Sequence, residues 1–198
     1  LVADEVNWDA RARDVEEWAD SYLQQGRTNT VNAQNVRDYL VDYAGQGAMR
    51  LNDDTVYEDG TEYDFVASRN WGTCMFAWSY LKTKGATVYS TADHELIKRW
   101  FSGISDDIMS YYQYDTDTLS SKQNNHMGFA LLAAMLCAII AQRFDVFTYA
   151  VDGQKHVLDD SLADAYVKED AVSRPMCGYN PDGANLMPTR AMLMLDLD

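Results

Sequence analysis

The sequence predicts an all-α fold of antiparallel helical hairpins packed around one buried helix, and three observations carry that reading. Apolar residues recur at i, i+3, i+4 and i+7 spacing in nearly every long segment. No segment alternates apolar and polar residues between hairpin turns, so strands have no support. Residues 127–141 run for fifteen positions without a charge or a strongly polar side chain, so a helix there is apolar on every face and needs other helices around it.

The elements follow in order. From Trp8, residues Val15, Trp18, Ala19, Tyr22 and Leu23 share one helical face, and Gly26 ends the run. After the polar link 27–30, a second helix carries Val31, Val36, Leu40, Val41 and Ala44 and stops at the glycines 45–47. These two make a helical hairpin. Residues 52–63 are acidic and rich in turn formers, which predicts a loop. A third helix, about 64–82, holds Phe65, Arg69, Trp71, Met75, Phe76, Trp78 and Leu81. Ser90 or Thr91 caps a fourth, whose Ile97, Trp100, Phe101, Ile104, Ile108 and Met109 keep to one face until Tyr111, Tyr112 and Tyr114. A polar loop, 113–122, leads into the central helix. Asp145 caps the next helix, and after Asp159-Asp160 come a short helix at about 162–167, a loop over 174–181 and a final apolar stretch, 186–197.

A length of 198 residues and 47% hydrophobic content suit one domain, residues 1–198, with a proper core and no linker or repeat. The longest apolar run falls short of the roughly 18 residues that span a bilayer, so no membrane partner is expected. Sixteen basic against thirty-one acidic residues give a formal charge of −15, which repels nucleic acid and anionic membranes. A polyanionic ligand would need a locally basic groove. Cys74, Cys137 and Cys177 lack metal-ligand spacing, and Cys137 falls inside the apolar helix as a buried free thiol. His94, His126 and His156 fit no zinc motif, so no metal site is expected.

Chemistry concentrates where the polar run Ser121-Lys122-Gln123-Asn124-Asn125-His126 opens into the central helix. Unpaired N–H groups and the helix dipole at that end favour negative charge, which suits an anion. The same field disfavours imidazolium, leaving His126 neutral and able to accept a proton. Asn and Ser are also ordinary helix caps, and a lone His near a helix start is often structural. Arg69 and Trp71 either line a sugar groove or, for Trp71, belong to the core.

Asn124-Asn125-His126 before an apolar helix, followed by Gln142-Arg143-Phe144-Asp145-Val146-Phe147-Thr148-Tyr149-Ala150-Val151, resembles the alginate lyases of polysaccharide lyase family five. Arg69-Asn70-Trp71 with Ser79-Tyr80-Leu81, and Ile97-Lys98-Arg99-Trp100-Phe101 with Ser110-Tyr111-Tyr112, fall at family-like distances. The likeness spans residues 10–195 loosely and 66–158 well. It implies an incomplete (α/α) toroid around a cleft, without the family's N-terminal lid segment and the helices that would follow Asp198. It also implies an enzyme that cleaves an anionic 4-linked polyuronate by β-elimination, mannuronate-rich alginate preferred, as a secreted or periplasmic monomer with no cofactor.

Such an elimination removes the C5 proton beside a carboxylate, so the carboxylate charge must be neutralised to stabilise the enolate-like intermediate. The resemblance gives that task to Asn125 and Arg174. It gives His126 the role of base or carboxylate partner and Tyr179, in Arg174-Pro175-Met176-Cys177-Gly178-Tyr179, that of the phenol moving a proton at C5 or O4. Arg69, Trp71, Lys122 and Gln123 are the expected substrate contacts. Two other readings compete: a glycoside hydrolase, which needs two carboxylates about 5–9.5 Å apart, and a helical glycan-binding module without chemistry.

Overall fold

A computed structural model describes the backbone of residues 8–50, 62–111 and 125–167, and the side chains of 11–50, 69–111 and 127–155. Six helices make up the described chain: α1 (Trp8–Gln24), α2 (Thr30–Gln46), α3 (Glu62–Thr83), α4 (Thr91–Tyr111), α5 (Asn125–Ala141) and α6 (Phe144–Val167). No strand occurs among the described residues, and the fold is all-α.

Local chemistry sets most boundaries. Asn29 caps α2, its side chain accepting from the Val31 and Asn32 N–H groups at 3.2 and 3.3 Å. Gly47 ends the same helix in the left-handed region, φ 62°, where a side chain would be strained, and the Ala48 N–H closes back on Tyr43 O at 3.0 Å. Ser90 caps α4 reciprocally: its hydroxyl accepts from the Asp93 N–H at 3.1 Å, and Asp93 accepts from the Ser90 N–H at 2.8 Å. Thr91 is therefore the first helical residue rather than the cap. Three expectations change. Helix α3 starts at Glu62, inside the stretch read as loop. The two helices expected either side of Asp159-Asp160 are one, α6, because two aspartates cost a helix only tenths of a kcal/mol each and no proline interrupts it. That helix begins at Phe144, so Asp145 lies in its first turn instead of capping it.

Helices α1, α3 and α5 pack on one another in sequence, while α2 lies against α1, α3 and α4, and α5 is covered by α4 and α6. Two helical hairpins are present, the first of them the one expected between the first two helices. In the first, Trp18 of α1 meets Tyr39 of α2 edge-on at 6.4 Å. In the second, α5 turns through Gln142 into α6, and Gln154 reaches back to Gly128. Helices α3 and α4 meet through large rings: Phe76 on Trp100 at 6.3 Å and Tyr80 on Phe101 at 6.4 Å. Among the described residues the six helices form a chain of pairwise contacts, and ring closure into a toroid is not part of them.

Helix α5 is the hub. From Met127 to Ala138 every residue is buried, as its uniform apolarity requires. Between α2, α3 and α4 the core is aromatic, with Tyr39, Tyr43, Phe76, Trp100 and Phe101 linked ring to ring. The corner after α5 is pinned by Arg143, which donates to Ser102 at 3.2 Å, to Asp106 at 3.1 Å and to Asp145 at 2.7 Å. His94 sits in the α3–α4 seam, its Nδ1 2.7 Å from the Tyr80 hydroxyl and its ring stacked on Tyr89. Burial, with Glu95 adding, raises the Tyr80 phenol to about 12.

Candidate functional site

The backbone of Asn125 and His126 forms the first turn of α5, where the polar-to-apolar switch at Met127 predicted it. Helix-terminal N–H groups are thus available beside these two residues. Their side chains, and all of Lys122, Gln123, Arg174 and Tyr179, lie outside the described residues.

What surrounds this turn is well defined. Phe129, one turn further along α5, takes the edge of Trp71 from α3 at 5.3 Å and 74°. The Cys74 thiol, also on α3, lies 3.8 Å from the Phe129 carbonyl. From the other side Gln154 of α6 donates its side-chain amide to the Gly128 carbonyl. The start of the central helix is therefore wedged between α3 and α6.

Trp71 is 39% exposed, neither core nor free, and presents part of its ring to solvent beside Phe129. Arg69 is different. It has no exposed surface, so it forms no part of an open groove wall as the sequence suggested. It lies on α3, a helix that packs against both α1 and α5. Its Nε and Nη2 donate to Asn70 Oδ1 at 3.3 and 3.1 Å, and its backbone carbonyl accepts from Thr73 Oγ1 at 2.8 Å. Asn70 is equally buried, and its Nδ2 has no hydrogen-bond partner among the described residues. Because the guanidinium requires an oxygen on its side of the carboxamide, that amide orientation is fixed.

Both described cysteines are buried free thiols. Burial, with Glu16 adding, pushes the Cys74 thiol far up. The Cys137 thiol is also raised by burial, against a smaller opposing pull from the Arg69 charge. Neither is a nucleophile at neutral pH. Among the described residues no group of His, Cys, Asp and Glu is placed to share a metal ion, and no helix is long and apolar enough to cross a membrane.

An open apolar hollow of about 350 Å³, lined by Ala138, Ile139, Gln142, Arg143, Phe144 and Phe147, lies at the far end of α5 from Asn125 and His126. A 1.5 Å rise per residue puts it roughly 20 Å from the candidate site, too far for its lining to touch a sugar bound at that turn.

Sequence reasoning gave no role at the site to Asn70, Cys74 or Gln154. A signal existed for the last: Val146, Ala150 and Gln154 are four residues apart, so a carboxamide shares the buried stripe of α6.

Comparison with known proteins brings these features together. The family described as alginate lyase matches residues 2–165. An alginate lyase of Cobetia marina is 32% identical over 104 residues, which is 50% of this chain and 27% of that protein. One from Pseudomonas fluorescens is 31% identical over 104 residues, with the same coverage, and one from Pseudomonas syringae pv. tomato is 26% identical over 110, covering 54% and 28%. The matched stretch thus spans little more than a quarter of these relatives' length. No solved structure matches the chain.

Proposed function

Because the chain belongs to the alginate lyase family, we propose that it cleaves a 4-linked polyuronate, mannuronate-rich alginate above all, by β-elimination to leave unsaturated uronate ends. The observation that carries this reading is the position of Asn125-His126: within the family match, in the first turn of a helix whose next twelve residues are buried.

In this reading Asn125 and Arg174 neutralise the substrate carboxylate while the N-terminal end of α5 adds its own positive field, so negative charge developing at C5 meets donors already in place. His126 acts as base or as carboxylate partner. Tyr179 transfers the proton: in mannuronate the C5 hydrogen and O4 share a face, so one phenol serves first as base and then as acid. In guluronate they lie on opposite faces, and His126 would be the base. Trp71 offers a partly exposed ring against which a sugar can stack. Lys122 and Gln123 would meet the polymer at the helix mouth. Arg69, being buried, supports the turn of α3 that carries Trp71 rather than touching substrate.

The test is direct. The protein is incubated with polymannuronate, polyguluronate and glucuronan, and the ultraviolet absorbance of the conjugated uronate is followed. Polymannuronate should give the fastest rise, weakened by added salt, since a chain of charge −15 must draw its polyanion by local positive charge. Reducing ends without absorbance would mean hydrolysis, and binding without either product would mean a glycan-binding module.

A further inference from the structure

The first turn of α5 is rigidly joined to what holds it. Asn125 and Gly128 are three residues apart, so the Gly128 carbonyl lies one turn along the same face, with no flexible joint between them. A helix carbonyl accepts one bond from the N–H four residues on and has a second lone pair to spare. At Gly128 that lone pair takes the side-chain amide of Gln154, which is 1% exposed. Gln154 spans the seam from α6 on the stripe of Val146 and Ala150, both fully buried, so it cannot swing to water without leaving its carboxamide stranded among apolar groups. On the α3 side the contacts are softer: a ring edge from Trp71 and a long thiol contact from Cys74, both to Phe129. Among the described residues Gln154 makes the strong directional bond to this turn.

We infer that Gln154 is a positioning residue: its bond to the Gly128 carbonyl fixes the depth and rotation of the α5 start, and thereby where Asn125 and His126 stand relative to the bound uronate. The inference rests on the lyase reading of those two residues. Catalytic groups displaced by about 1 Å can lose on the order of 100-fold in rate, so a bond that sets helix register acts on turnover without touching substrate.

The experiment compares wild type, Gln154→Leu, which keeps bulk and removes the amide, and Thr83→Val. Thr83 is a matched control: a buried side chain bonded to the Ser79 carbonyl and the Tyr89 hydroxyl near the end of α3, neither of them on α5. On polymannuronate, Gln154→Leu should lower kcat about 10- to 100-fold with KM within about two-fold, while Thr83→Val keeps the wild-type kcat even where its Tm falls as far. Gln154→Leu should also shift the imidazole resonances of His126 while leaving those of His94 in place. Equal kcat in both variants, or a Gln154→Leu loss matched by Thr83→Val, overturns the inference. If wild type cleaves no polyuronate, the lyase reading fails on its own account, and the imidazole spectra decide: an unmoved His126 signal in Gln154→Leu then sinks the positioning role, and a moved one upholds it.

Discussion

Asp93 receives one edge of the Arg37 guanidinium on both of its oxygens, Nε at 3.1 Å and Nη2 at 2.8 Å, and so ties α2 to the start of α4. The same carboxylate accepts from the Ser90 N–H and hydroxyl, both at 2.8 Å. Desolvation alone would raise its pKa; the Ser90 donors and Arg37 outweigh it, and the net shift is downward.

A carboxylate whose pKa is lowered in the folded state stabilises above its unfolded pKa, about 4, and that contribution is lost as pH falls through the folded value. Asp93→Asn should therefore cost about 1–3 kcal/mol by urea denaturation at pH 7, with the gap to wild type closing below about pH 4. A gap that stays constant from pH 7 to pH 3 would assign the loss to something other than this charge.

Gly103 lies under Arg50. A Cβ built there would collide with Arg50 Nη1, and the guanidinium that occupies the space is held by Asp107 at 2.7 and 3.2 Å. Gly103→Ala gains about 1 kcal/mol of helix propensity but must push the guanidinium aside. In wild type the two effects should nearly cancel. In an Arg50→Ala background the same change should stabilise by about 0.5–1 kcal/mol, a difference that a double-mutant cycle reads directly.

The buried thiols of Cys74 and Cys137 should be silent to thiol reagents in the native protein. In a Cys177→Ser background, labelling should be negligible until denaturant opens the helices, and then both should react. Native-state labelling of Cys74 at the rate of a free thiol would contradict the packing of α3 against α5.

Phe144 is 81% exposed at the mouth of the apolar hollow. Phe144→Ser should change stability by no more than about 0.5 kcal/mol, because little burial is lost. It should lower binding of a hydrophobic dye. An unchanged dye signal would place the accessible apolar surface elsewhere.

Legibility in the sequence tracked how local each determinant was. Helix existence could be read because apolar spacing is a property of single segments, and the α5 start could be read because the change from Asn125-His126 to an uncharged run is abrupt. The break expected at Asp159-Asp160 failed because aspartate is a poor helix former, not a helix stop. Arg69 misled for another reason. An arginine is usually placed at the surface, and the complete burial of this one, on a helix that packs against both α1 and α5, is a tertiary fact that no spacing within α3 encodes. Gln154 was visible as a polar residue on an apolar stripe, but its partner, a backbone carbonyl on the preceding helix, leaves no mark in residue types.

The corner after α2 is anchored twice. Trp100 donates its indole N–H to the Ala48 carbonyl at 2.6 Å, and Arg50 grips Asp107 on the same helix, α4. The chain is thus clamped before it goes on to residue 51, and α3 resumes from Glu62 with its own packing against α1. Trp100 and Asp107 lie about two turns apart on α4, so the two bonds hold the end of α2 against α4 at two levels, and a shift of α4 carries the corner with it.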